Sequence, residues 1–191
     1  MERLSATVFV ALTLLVAGSV VVVVVDACDG VPRMSAVEAC KQASVGPAMS
    51  RTCAETMGTS ADEQEATDFM VAAANAATES YKAGKEAVGK VLSNPLAPDG
   101  ERLPCLVCAN KYDDASMLVA STADDAKRCR LSADSLPDLV TAVSSVGECA
   151  TKMFEESGNT SSVYATAITN RDWTVLVLRL ATLVVPRQQL S

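Results

Sequence analysis

Seven cysteines and not one histidine define the chemistry open to this 191-residue chain. Two of the cysteines stand as Cys105-Leu106-Val107-Cys108, the spacing of thiol redox centres. Such a centre needs a preceding strand and a low-pKa thiolate at a helix start. No strand pattern precedes this one, so a structural bridge plus a spare cysteine is the expected reading. A cysteine-only zinc site would need a second CxxC, which is absent. The carboxylate pairs Asp113-Asp114, Asp124-Asp125 and Glu155-Glu156 have the residue types for acid–base work or calcium binding. Adjacent helical positions point about 100° apart, so these pairs diverge and are expected to be solvated faces. Without histidine, the commonest general base, the usual Ser and Cys triads and most zinc sites are closed off. No catalytic, cofactor-binding or metal-ligating residues are expected, and binding another protein is the expected mode of action.

Charge narrows the choice of partner. The chain carries a formal net charge of −7, and without Glu2, Arg3 and Asp26 there remain 15 basic and 21 acidic residues, a balance near −6. An acidic surface with no basic stripe repels phosphate backbones, so nucleic acid is not expected as a partner.

The ends of the chain read as address and core. Leu4 to Val25 is an apolar run closing in six valines, followed by Asp26-Ala27-Cys28. Val25 and Ala27 suit cleavage after Ala27, with Gly18 a second position, so residues 1–27 are expected to be a signal peptide and 28–191 one secreted domain. An uncleaved anchor is the alternative, since 22 apolar residues can span a bilayer. After cleavage no stable membrane association is expected. Asn159-Thr160-Ser161 is a glycosylation sequon suited to that compartment. The apolar segment Val175 to Val185 contains Arg179 and runs into polar residues, which reads as a buried final helix rather than a GPI signal.

The elements that must position these residues are helical. Alanine and valine dominate the apolar set and only 4% of residues are aromatic, which favours helices over strands. Met34 to Met57, broken by Gly46-Pro47, predicts two brief helices. Ser60-Ala61-Asp62-Glu63 has the form of a capping box, opening a helix to about Leu92 with Ala66, Phe69, Met70, Ala73, Ala77, Tyr81, Val88 and Leu92 inward. Ser93 to Gly100, with two prolines and a glycine, is the clearest break. A second long helix is expected from Glu101 to Lys127 with Leu103, Leu106, Tyr112, Ala115, Leu118 and Val119 inward. A third follows from about Ser135 to Ser157, with Pro137 in its first turn, and a fourth from about Ser162 to Val185. Four such helices with short links predict an all-α, up-down-up-down four-helix bundle carrying an N-terminal helical hairpin, stapled by disulfides. No strand alternation and no internal repeat are visible.

Helix geometry restricts the cysteine pairing. Cys40 and Cys53 flank the Gly-Pro turn and would face each other across a hairpin, a closure that stabilises by roughly 3 kcal/mol. Cys108 and Cys149 are equidistant from the connection expected near residue 128, which puts them at one height on antiparallel helices, a bridge contributing roughly 4 kcal/mol. Cys129 sits at that turn, about 30 Å from Cys105 or Cys108, and cannot reach either. Cys105 could replace Cys108 or pair with Cys28; Cys28, Cys105 and Cys129 stay unassigned.

Three stretches now resemble a known family, the plant invertase and pectin methylesterase inhibitors. Ala39-Cys40-Lys41-Gln42-Ala43-Ser44 leading to Arg51-Thr52-Cys53-Ala54-Glu55-Thr56-Met57 is similar to that family's N-terminal hairpin. Cys108-Ala109-Asn110-Lys111-Tyr112-Asp113-Asp114-Ala115, with Cys149 and Phe154 some 40 residues on, resembles its Cys, Tyr and Ala spacing. Thr169-Asn170-Arg171-Asp172 before an apolar last helix is the third. The resemblance implies a disulfide-pinned hairpin on a four-helix bundle and reversible inhibition of a cell-wall or vacuolar carbohydrate enzyme, without cofactor. Leu136-Pro137-Asp138-Leu139 stands where invertase-directed members often carry Pro-Lys-Phe, and Thr141 to Val146 where esterase-directed members often carry Ser-Ala-Ala-Leu. The expected partner is pectin methylesterase in the apoplast, with acid invertase as the alternative. From another class, the alternative is a non-inhibitory or membrane-tethered interaction protein of the wall.

Overall fold

A computed structural model describes residues 28–185 of the chain. The leader expected over residues 1–27 lies outside the described residues. Among the described residues six α-helices follow one another: α1 (Ala36–Ala43), α2 (Pro47–Met57), α3 (Ala66–Ser93), α4 (Asp99–Lys127), α5 (Leu136–Ser157) and α6 (Ser162–Val184). The fold is all-α and disulfide-stapled. α3 to α6 form the bundle, packed in the cycle α3–α4–α5–α6–α3, and α1 and α2 form the hairpin at the end where α3 begins.

Local chemistry explains three of the helix starts. Ser35 caps α1, its Oγ accepting from the Glu38 N–H at 3.2 Å. Gly46, with φ of +92°, reverses the chain and presents Pro47 to the first turn of α2, where a missing N–H costs nothing. Ser161 caps α6 through the Val163 N–H at 3.2 Å.

The start of α3 differs from the sequence expectation. Ser60 does not cap a helix. Its Oγ accepts from the Asp62 N–H at 3.0 Å and donates to Asp62 Oδ2, closing a local turn. Gln64–Glu65 then runs extended as β2, paired antiparallel with β1 (Arg33–Met34), in the register Arg33↔Glu65 and Met34↔Gln64. Pairing with the incoming chain takes the residues a longer helix would have used, so α3 starts at Ala66. A two-residue ladder is too short to show as alternation in the sequence.

The core seams carry heptad spacing. In α4 the buried positions include Cys105, Cys108, Tyr112, Ala115, Val119, Thr122 and Ala126; in α5 they include Leu139, Ala142, Val146, Cys149 and Met153. Alternating steps of three and four keep one stripe of each helix against its neighbours in a bundle. This corrects the expected face of α4, where Leu103 and Leu106 are 62% and 54% exposed. The inward stripe there is one built on cysteines, and the two leucines lie off it.

Pro104 sits inside α4 and cannot donate to the Gly100 carbonyl. Ser157, at the end of α5, supplies the missing donor: its Oγ bonds to the Gly100 oxygen at 3.0 Å. A defect in one helix is thus repaired by the next.

Candidate functional site: the stapled scaffold and its surfaces

Three disulfides join the described residues. Cys40–Cys53 spans the hairpin with Cα atoms 5.6 Å apart, and Cys108–Cys149 clamps α4 to α5 at 4.8 Å. The third, Cys28–Cys129, joins the segment before β1 to the α4–α5 turn at 5.3 Å. The sequence left this pair open because it depends on the β1–β2 ladder, which carries the chain start to the hairpin end of the bundle. Cys129 takes φ of +54°, the left-handed position just past a helix end that glycine usually fills. Here the sulfur is needed, and the bridge holds the residue in place. Cys105 neither replaces Cys108 nor meets Cys28; it remains a free, buried thiol.

The Cys105–Cys108 motif therefore does not close on itself. Burial pushes the Cys105 thiol up to about 11, and the Glu101 charge adds to the effect, so the sulfur stays protonated at neutral pH. The neighbouring carboxylates diverge to separate cations: Asp113 to Lys85, Asp124 to Lys127 at 3.3 Å, Asp125 to Arg130 at 2.7 Å, and Glu155 to Lys152 at 2.7 Å. Among the described residues no three His, Cys, Asp or Glu side chains gather as a metal would require.

At mid-bundle lies a polar layer that periodicity alone does not reveal. The Tyr81 hydroxyl meets Thr174 Oγ1 at 2.6 Å, and Thr174 donates to the Asn170 carbonyl at 2.6 Å. Ser80 donates to Asn170 Oδ1, and the Tyr112 hydroxyl lies 3.4 Å from Cys149 Sγ, onto which it donates. The Tyr81 and Tyr112 rings stack with centroids 6.2 Å apart. Burial pushes both phenols up to about 12, against the pull of Thr174 on one and Asn170 on the other. Asn170 Nδ2 is buried without a hydrogen-bond partner among the described residues. Gly84 lets this layer form, because a Cβ there would lie 2.5 Å from Asn170 Nδ2 and 2.8 Å from Tyr112 Cε2. The one legible sign is the pair Asn170 and Thr174, polar residues four apart on a mostly apolar helix face. The layer is neutral and joins α3 to α6 through Ser80–Asn170 and Tyr81–Thr174.

The surface of the described residues carries several hollows, one of about 240 Å³ between α3 and α4 beside Asn75, Glu79 and Asp124. A groove of about 700 Å³ runs between α1 and α2, lined among others by Val37, Lys41, Ser44, Pro47 and Ser50. On the α5–α6 seam a shallower hollow of about 170 Å³ opens over Gly147, flanked by Phe154, Tyr164, Ile168 and Arg171. Phe154 and Tyr164 pack at 5.6 Å between centroids, and Phe154 remains half exposed. Asn159 is exposed on the link between these two helices.

No helix among the described residues is long and apolar enough to cross a membrane, and three disulfides fit an oxidising compartment. No family model, curated protein or solved structure matches the chain.

Proposed function

We propose that this chain is a secreted protein inhibitor of pectin methylesterase, acting in the apoplast by covering the enzyme's substrate cleft. The observation that carries the reading is the order of parts: a hairpin pinned by Cys40–Cys53, then a bundle clamped by Cys108–Cys149. That order is what the sequence resemblance to the invertase and pectin methylesterase inhibitors implies. The chemistry supports binding rather than turnover, since the buried polar groups are neutral and sealed and the carboxylates are dispersed in surface ion pairs. A scaffold with three cross-links and exposed apolar side chains suits rigid docking, in which a few desolvated anchors supply most of the affinity.

The test is direct. Purified, oxidised chain mixed with pectin methylesterase at mildly acidic pH is expected to reduce de-esterification of pectin in a saturable, reversible manner. Full activity at micromolar chain removes the proposal. A parallel assay of acid invertase on sucrose separates the two targets of this family, and loss of invertase activity alone would reassign the target.

A further inference from the structure

We propose that Asn159 is an N-glycosylation site whose oligosaccharide is attached before the turn carrying it has folded. The proposal rests on the reading of the chain as exported. The acceptor Asn159-Thr160-Ser161 makes up the link between α5 and α6 together with Gly158. Gly158, with φ of +70°, ends α5; Gly158–Thr160 makes a single 3₁₀ turn; Ser161 opens α6. The Asn159 side chain is exposed, at the end of the bundle opposite the hairpin.

The third residue of the acceptor has a second duty. Ser161 Oγ accepts the Val163 N–H at 3.2 Å, and its carbonyl accepts the Ala165 N–H at 3.3 Å. A transferase that selects serine or threonine at this position must reach that hydroxyl. In the folded chain the amide is offered while the hydroxyl is engaged as a helix cap; in the extended chain both are free. The neighbouring Ser157–Gly100 bond ties the turn down to α4, so local opening there costs a tertiary contact as well.

In the reaction, Asn159 Nδ2 attacks the anomeric carbon of an oligosaccharide carried on a lipid pyrophosphate. The carbon–nitrogen bond forms, the sugar–phosphate bond breaks, the lipid pyrophosphate leaves, and Nδ2 gives up one proton. Nothing is oxidised or reduced. The attached chain then stands off the far end of the bundle, away from the α1–α2 groove, so a partner must approach by that groove or by the helix flanks.

Full-length chain expressed in a plant secretory host tests the site. Secreted protein is expected to carry a glycan that peptide N-glycosidase removes, leaving aspartate at 159 in the peptide map. Asn159→Gln and Ser161→Ala are expected to abolish it, whereas Ser161→Thr retains it and keeps the cap. For the order of events, unglycosylated chain is offered to microsomes with lipid-linked donor, either folded and oxidised or reduced and unfolded. Only the unfolded form is expected to be modified. Secreted chain with unmodified Asn159 overturns the site, and equal modification of both forms overturns the order. Chain retained in the cytosol with reduced cysteines overturns both the site and the export reading, and the cysteine state tells that result from the others.

Discussion

Gly84 and Gly89 lie five residues apart on α3, and replacing each by alanine is expected to have opposite effects. Alanine is the better helix former by about 0.8–1 kcal/mol, a gain both substitutions share. At Gly89 the new methyl meets nothing described within 4 Å, so Gly89→Ala is expected to stabilise by about that amount. At Gly84 it strikes Asn170 and Tyr112, each held by further contacts, and overpacking of this kind costs about 1–3 kcal/mol. Gly84→Ala is therefore expected to destabilise, and urea melts of the two variants read the difference. The same layer is expected to set an alkaline limit on stability. Tyr81 and Tyr112 ionise near 10 when unfolded and near 12 when folded, so their contribution is fully present below pH 10 and is lost as pH rises through 12. Each represents about 3 kcal/mol at most. In a Tyr164→Phe background, which leaves only these two phenols, tyrosinate absorbance is expected to appear together with loss of helical dichroism rather than before it.

Between elements, the Ser157–Gly100 bond makes a double-mutant test. Ser157→Ala leaves a helix carbonyl without a donor and is expected to cost about 1 kcal/mol. In a Pro104→Ala background the backbone supplies its own N–H to Gly100, so the same change is expected to cost much less. Denaturant midpoints of the four proteins give the coupling energy. The four long helices were legible in the sequence because Ser93–Gly100 and Ser157–Asn159 punctuate an alanine-rich periodic text. What escaped was phase and partnership. Leucine is usually buried, so Leu103 and Leu106 read as core, whereas the inward stripe runs through Cys105 and Cys108, of which spacing assigns only Cys108 to a bridge. The helix start expected at Ser60 was displaced by pairing with Arg33–Met34, a long-range contact with no local signature. The polar layer was illegible for a similar reason: Ser80, Tyr112 and Asn170 come together only once α3, α4 and α6 are placed.

For the whole molecule, the disulfides differ in what they govern. Cys40–Cys53 closes 13 residues of an appended hairpin, whereas Cys28–Cys129 closes 101 residues and ties both ends of α3 and α4 into one ring. Removing Cys40 and Cys53 is expected to raise hydrogen exchange in α1 and α2 while sparing the bundle. Removing Cys28 and Cys129 is expected to lower global stability by about 2–5 kcal/mol in urea titrations. The pairs Cys40–Cys53 and Cys108–Cys149 follow from helix register and were readable from spacing. Cys28–Cys129 was not, because its sulfurs meet through the ladder rather than through a helix. Buried Cys105 is expected to resist thiol reagents in native chain and to react once the chain unfolds.

The placement of these bridges has one more consequence. The loop from Cys28 to Cys129 and the loop from Cys108 to Cys149 overlap, so residues 28–149 form a continuous covalent mesh enclosing α1 to α4 and most of α5. α6 lies beyond it, attached by a single strand of backbone. Like an unhooped stave in a cask, it is held only by non-covalent contact, through packing on α3 and α5 and the Tyr81–Thr174 and Ser80–Asn170 hydrogen bonds. Because α6 alone contributes Asn170 and Thr174, its departure would let water reach Tyr81 and Tyr112 in the same movement.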